Sequence, residues 1–243
     1  TIIISVLIIF YFRSYASLKP LRIFIYEGMG IGFISFWIMT FANLINMILN
    51  ISSYSIGIVS LFTIITLTLI SFIFGFKINF KNINIKSNKI SQNLSFVFFS
   101  DVHLGSNNIK HLNKILSKLN NKKFDFLLIG GDLIDSSSFV IENLKIIKKK
   151  INCPIFFVTG NHEYYIKNSN AKIEEINNIG IKHLSNTNLE INNINLIGID
   201  DNVDKNDQVK IVKGKYSKDK FNLTLIHKPS IWNQVYDECD LML

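Results

Sequence analysis

Four apolar runs in the second half of the chain each stop on a residue able to hold a cation, and this repeated plan restricts the fold more than any other feature. Phe96 to Gly105 reads FVFFSDVHLG, Phe124 to Asp135 reads FDFLLIGGDLID, Ile155 to Glu163 reads IFFVTGNHE, and Asn222 to Pro229 reads NLTLIHKP. Short runs of Phe, Ile, Leu and Val bounded by glycine and polar clusters predict buried strands. Between them lie helical periods. Ile109–Leu119 places apolar residues at 109, 112, 115, 116 and 119, and Phe139–Lys149 places them at 139, 140, 144, 146 and 147. Alternation of this kind predicts a sheet covered by helices. Open α/β sheets collect their functional groups at the carboxyl ends of strands, which is where these Asp, His and Asn residues fall.

The pattern continues along the chain. Ala171–Ile179 reads as a short helix ending at Gly180. Strands are expected near 181–184, 189–191 and 194–199, with an Asn192-Asn193 turn between the last two. Asp200–Asp207 reads as an acidic loop, Phe221–Ile226 as a strand, Pro229–Tyr236 as a helix and Cys239–Leu243 as a last strand. Cys153 and Cys239 match neither metal nor redox spacing and are expected to be buried reduced thiols.

The first third differs in kind. Residues 1–90 hold seven Lys/Arg against one acid, Glu27, whereas residues 91–243 hold nineteen Lys and seventeen acids. The basic character therefore belongs to the amino-terminal side. No stripe of Lys and Arg interleaves with stacking aromatics, so nucleic acid is not an expected partner. TIIISVLIIFYF at 1–12 reads as the tail of a membrane helix. Gly28–Leu49 and Ile56–Phe76 read as two further spans, each about 21 residues long without an internal charge. That length crosses roughly 30 Å of hydrocarbon at 1.5 Å per residue. Arg13 to Arg22 reads as a short basic loop broken at Lys19-Pro20, and the 50–55 link, NISSYS, carries no charge. The positive-inside rule then places loop 13–22, and everything after residue 76, in the cytoplasm.

The expected organisation is a transmembrane region at 1–76, a polar linker at 77–93 whose lysines can meet anionic headgroups, and an α/β domain at 94–243. Thr1 opens inside an apolar run and Asp240–Leu243 reads as a strand with nothing after it. The expectation is a piece of a longer chain.

Five positions have metal-binding chemistry: Asp101, His103, Asp132, Asn161 and His227. Two hard divalent ions need a bridging carboxylate and a mixture of oxygen and nitrogen ligands. Asp132 is the candidate bridge, since it follows Gly130-Gly131, where a backbone without Cβ allows close approach. Asn161 offers a neutral carbonyl oxygen. His162, beside it, is placed to protonate a leaving group, and Asp135 to orient the His162 ring. His111 and His183 lack such a setting and read as surface or packing residues. Asp200-Asp201 reads as structural or as part of the site rim, and Glu163 as a support for the ligands.

Asp101-x-His103, Gly131-Asp132-x-x-Asp135, Gly160-Asn161-His162-Glu163 and Leu225-Ile-His227-Lys-Pro229, in that order, resemble the calcineurin-like metallophosphoesterase superfamily over about residues 94–243. The GIDD at 198–201 and IHKP at 226–229 look most like its bacterial membrane-associated branch, which includes the YkuE and YaeI phosphodiesterases. The resemblance implies an α/β fold, a four-layer α/β/β/α sandwich preceded here by transmembrane helices and truncated at its C-terminus. It also implies a dinuclear centre of Mn, Fe, Zn or Mg. By that resemblance Asp101 and His103 serve the first ion, Asp132 bridges, Asn161 and His227 serve the second, and His162 donates the proton.

Two departures stand out. The Gly-His-x-His with which the family closes its site does not occur, and its place would follow a strand like Asp240–Leu243. The chain also has no Arg after Arg22, and Asp135-Ser136-Ser137 stands where protein phosphatases of the superfamily carry Asp-Arg-Gly. Bidentate Arg clamps on phosphate are thus missing from this stretch.

The implied activity is hydrolysis of phosphomonoester or phosphodiester bonds by a hydroxide held between the two ions. The protein would sit in a bacterial plasma membrane with its catalytic domain in the cytoplasm, acting on a phosphorylated small-molecule or lipid-linked substrate. A lipid-headgroup pyrophosphatase of the UDP-diacylglucosamine type is one alternative, and a non-catalytic membrane scaffold that kept the fold is another. A transporter fits poorly, because the spans lack the ionisable residues that mark transport pathways.

Overall fold

A computed structural model describes residues 2–13, 19–75 and 77–243. These residues divide into two units, one ending at Phe80 and the other running from Lys81 to Leu243.

The first unit is helical: α1 (Ile2–Arg13), α2 (Lys19–Leu49) and α3 (Ser53–Gly75). Phe24–Leu49, 26 residues of mean hydropathy 1.7, and Ser53–Gly75, 23 residues of mean hydropathy 2.5, are long and apolar enough to cross a bilayer. Their bulky side chains point outward, with Phe33 66%, Phe62 71% and Met47 81% exposed. A helix apolar on all faces must be covered by protein or by lipid, and the described residues leave both helices largely uncovered. This supports association with a membrane.

Two boundaries differ from expectation. Lys19-Pro20 opens α2 instead of breaking a loop, because the first turn of a helix has no intrahelical acceptors for its N–H groups and tolerates proline. Of the expected 13–22 loop, residues 14–18 lie outside the described residues, as do Thr1 and Phe76. The link between α2 and α3 is also shorter than NISSYS. Asn50 turns the chain with a left-handed φ of 49°, and the Ser52 hydroxyl accepts the Ser55 N–H at 3.2 Å, so α3 begins at Ser53.

The second unit holds two four-stranded sheets. β1 (Phe96–Phe99), β2 (Phe126–Gly130), β3 (Ile155–Val158) and β4 (Lys182–His183) run parallel in that order. β5 (Thr187–Ile191) pairs antiparallel with β6 (Ile194–Ile199) through the Asn192-Asn193 turn, both residues left-handed (φ 46° and 64°). β7 (Phe221–Ile226) and β8 (Leu241–Met242) extend that sheet in parallel.

Strand alternation sorts the core into layers. Leu127, Ile129, Ile155 and Phe157 face helices α4 (Ile109–Ser117) and α5 (Lys145–Lys150), meeting Leu112, Leu116 and Ile147. Phe126, Leu128, Phe156 and Val158, on the opposite face of the same strands, meet Ile194, Leu196, Phe221, Leu223 and Leu225 of the second sheet. Ile197, Ile199 and Ile226 turn outward to Val212 of α8 (Lys205–Lys215) and Val235 of α9 (Trp232–Val235). Helix, sheet, sheet and helix make the four layers.

The expected acidic loop at 200–207 is only half a loop. Asp204 caps α8, accepting the N–H groups of Asn206 and Asp207 at 2.9 and 3.1 Å. α8 escaped the periodicity because Val209, Ile211 and Val212 are its only bulky apolar residues. The helix expected over 139–149 begins as a 3₁₀ turn at Ile141–Leu144 before α5, and that expected at 229–236 contracts to α9. Two further helices, α6 (Asn161–Tyr165) and α7 (Ser169–Asn178), follow β3.

Candidate metal centre

The loops after β1 and β2 run side by side, and this pairing builds the site. The Asp101 N–H donates to Gly131 O at 3.1 Å, His103 N–H to Asp132 O at 2.9 Å and Leu104 N–H to Leu133 O at 2.9 Å. In this ladder Asp101, His103 and Asp132 all take left-handed backbones (φ 57°, 49° and 51°). Such conformations cost about 1–3 kcal/mol each and persist where surrounding bonds impose them. Gly131 and Gly160 permit the close approach. A Cβ on Gly131 would lie 2.7 Å from Gly160 N and 2.8 Å from His227 Nδ1, and one on Gly160 would lie 2.2 Å from Asp132 Oδ1.

Asp132 is the centre. Its side chain is buried, and its Oδ1 accepts the His162 N–H at 2.9 Å. Its Oδ2 lies 3.4 Å from His227 Nε2, 3.7 Å from His103 Nε2 and 3.8 Å from His162 Nε2. Asp101, half exposed, brings Oδ1 to 3.7 Å from His103 Nε2. Burial opposes ionisation of Asp132, but the hydrogen bonds from the His227 ring and the His162 N–H outweigh it and hold the carboxyl below its usual range. The same pairing pushes His227 up to about 9. His103 is raised by its hydrogen bond to Asp135 against the opposing effect of burial. His162 is lowered, first by burial.

Six expected site residues, Asp101, His103, Asp132, Asp135, His162 and His227, come together at this strand end. They form two groups with mutual ligand-atom distances within 4.8 Å: His103, Asp135 and His162, and Asp101, Asp132 and His227. Asn161 opens α6 directly before His162. Asp135 was expected to orient His162. Its Oδ2 instead lies 3.5 Å from His103 Nδ1 and its Oδ1 accepts the Ser106 N–H at 2.8 Å. The His103 and His162 rings meet edge to face at 4.5 Å, so Asp135 reaches His162 only through space.

The donor set fits a divalent cation: carboxylate oxygens and imidazole nitrogens, with no thiolate among the six. His227 Nδ1 lies 2.9 Å from Gly130 O, a carbonyl that can only accept. Nδ1 therefore carries a proton, and a cation bound at Nε2 would displace the proton that Nε2 directs at Asp132.

Glu163 holds the ligands in place. It is fully buried, and its carboxylate accepts the N–H groups of Asp132 (2.9 Å), Gly160 (2.7 Å) and Ile134 (2.9 Å). Desolvation pushes its pKa up to about 7. Its place beside Asn161 and His162 marks it as a support, but nothing local in the chain marks bonds across 29 and 31 residues. Asp200 is structural: its Oδ1 accepts from Thr159 Oγ1 (2.8 Å), the Tyr164 hydroxyl and the Asn202 N–H (3.0 Å), and its Oδ2 from Ser185 Oγ (3.0 Å). Asp201 pairs with Lys228 Nζ at 2.9 Å. His183 packs against Phe157 and His111 is half-buried.

Residues 94–240 match the family model of calcineurin-like phosphoesterases. A Helicobacter pylori protein named an uncharacterized metallophosphoesterase is 36% identical over 80 residues, 32% of this chain and 22% of the relative. A Campylobacter jejuni protein of the same description is 33% identical over 91 residues, 35% of this chain and 24% of the relative. A zebrafish (Danio rerio) transmembrane protein with a metallophosphoesterase domain is 33% identical over 96 residues, 37% of this chain and 22% of the relative. The matched stretch thus spans less than a quarter of the length of these relatives. The chain belongs to the calcineurin-like phosphoesterase family.

Proposed function

We propose that the protein is a membrane-anchored, metal-dependent phosphoesterase whose site lies at the carboxyl ends of β1, β2, β3 and β7. The observation that carries this reading is the convergence of three imidazole Nε2 atoms, from the segments after β1, β3 and β7, on the single buried oxygen Asp132 Oδ2. Asp101, His103, Asp132, Asn161 and His227 would hold two divalent ions, with Asp132 between them. Bound there, such ions neutralise charge on phosphoryl oxygens and make water a better nucleophile at neutral pH.

The chain's own groups supply the rest. Asp132 is kept ionised by His227 and the His162 N–H, so it is ready to ligate at neutral pH. Gly130 O orients the His227 ring, and Asp135 holds the His103 ring. His162 faces the same space from the first turn of α6, and its protonated form would hand a proton to a departing alkoxide. Tyr165, packed against His162 at 5.4 Å and 63% exposed, forms an outer wall that a substrate would touch. Without Arg after Arg22, phosphate recognition in this stretch falls to the ions and to lysine.

Residues 1–76 are read as the membrane region and 94–243 as the catalytic domain. Arg13 at the end of α1, Lys19 and Arg22 at the start of α2, and Lys77, Lys81, Lys86 and Lys89 after α3 contrast with the uncharged Asn50–Ser52 link. That contrast supports a cytoplasmic domain. Anchoring raises the local concentration of lipid-linked phosphoesters and pyrophosphates, which favours them as substrates. The test is Asp132→Asn in the full-length protein, which should abolish metal-dependent hydrolysis. Turnover near that of the wild type would refute a centre built on Asp132.

A further inference from the structure

We infer that Phe80–Lys86 lies in the headgroup layer of an anionic bilayer and holds the phosphoesterase domain against the membrane surface. The inference rests on the membrane-anchored reading above and adds to it the distance at which the site works.

This segment has no regular structure, and it carries bulky apolar side chains outside the core clusters of the described residues: Ile83 is 69% exposed and Ile85 52%. Farther along the same strand of chain, Ile90 and Leu94 pack against the core between the sheets. Apolar residues therefore continue on the membrane side of the point where the domain stops covering them. Lysines alternate with them at 77, 81 and 86, and no Asp or Glu occurs between Glu27 and Asp101. Bulky apolar groups interleaved with lysine and free of acids match an interface whose lipid tails accept Phe and Ile and whose headgroups are anionic. Continuity of the chain places the segment there, since Lys77 comes two residues after the end of α3, the more apolar of the two candidate spans.

The far end of the segment is fixed to the domain. Lys89 Nζ bonds both Asp240 oxygens at 3.0 and 2.9 Å, and Lys89 O accepts from Asn193 Nδ2 at 2.8 Å. The Lys89 N–H donates to Ser87 Oγ at 3.2 Å, which closes a tight bend. A free linker from Lys77 to Lys89 would let the domain drift about 40 Å from the bilayer. With Phe80–Lys86 embedded, only the steps from Lys86 to Lys89 remain, about 10 Å. The site would then work beside the headgroups and favour phosphoesters presented at the membrane surface.

The test uses the full-length protein in nanodiscs with other cysteines removed and single cysteines labelled with an environment-sensitive fluorophore. Ile83→Cys and Ile85→Cys report on the segment, Val59→Cys on α3 and Asn120→Cys on the domain surface. Lipids carrying a quencher near the headgroup end of the acyl chain are expected to at least halve the signal at 59, 83 and 85 and to leave 120 unchanged. Quenching at 59 without quenching at 83 and 85 overturns the interfacial inference and leaves the membrane reading standing. No quenching at 59 overturns the membrane reading itself. Lys81→Gln with Lys86→Gln, or omission of anionic lipid, should restore most of the fluorescence at 85. Unchanged quenching there would refute the electrostatic part.

Discussion

Removing the Glu163 carboxylate tests the geometry of the site through stability. The side chain is fully buried and accepts three backbone N–H groups from the loops after β2 and β3. Glu163→Ala leaves those donors without partners, at about 1–3 kcal/mol each. Relief from burying a carboxylate whose pKa stands at about 7 offsets part of that cost. A net loss of about 3 kcal/mol is expected, which lowers the melting temperature by about 6–12 °C for a domain of this size. Asp132 should also lose its left-handed backbone and with it metal affinity. Glu163→Gln separates the effects. Whichever way its amide faces, an NH₂ group meets an N–H donor, so the variant should fall between the alanine form and the wild type. The assay is thermal unfolding of the full-length protein in detergent, with and without Mn²⁺, alongside metal analysis. A shift below about 2 °C in Glu163→Ala, with metal content unchanged, would refute the claim that this carboxylate holds the two loops together.

Other expectations follow from single contacts. His162→Ala should cut turnover while leaving metal content nearly intact; loss of metal would recast it as a ligand. Gly160→Ala drives a Cβ into Asp132 Oδ1 at 2.2 Å and should abolish metal binding, which isothermal titration with Mn²⁺ would read. Asp200 lies below its ordinary value of 3.8 because its hydrogen bonds, led by that from Tyr164, outweigh desolvation. A depressed carboxyl stabilises the fold above its unfolded pKa and loses that contribution as pH falls through its folded pKa. The stability gap between wild type and Asp200→Asn should therefore be full at pH 6 and shrink below about pH 4 in urea titrations. A reporter fused shortly after α3 should give a cytoplasmic signal; a periplasmic one would reverse the assigned orientation.

The strand-end residues were legible because each needed only local information. An apolar run and a ligating side chain sit within ten residues, and the parallel sheet brings such ends together. The partner of Asp135 was not legible. Whether it meets His103 or His162 depends on side-chain directions across two loops, which no spacing in the chain encodes. α8 was hidden for another reason: its buried face needs only Val212 and Gln208, too little to set a period. α2 began earlier than expected because proline, read as a breaker, is compatible with a first helical turn. The Phe80–Lys86 segment read as a polar linker because its lysines and asparagines outnumber its apolar residues.

The central claim is metal-dependent phosphoester hydrolysis, and the most direct measurement is turnover of bis-p-nitrophenyl phosphate and p-nitrophenyl phosphate by the full-length protein, with added Mn²⁺ and with EDTA. Turnover should need the metal, stop with the chelator and disappear in Asp132→Asn, the ratio of the two rates separating diesterase from monoesterase. Turnover that survives both EDTA and Asp132→Asn would contradict that claim.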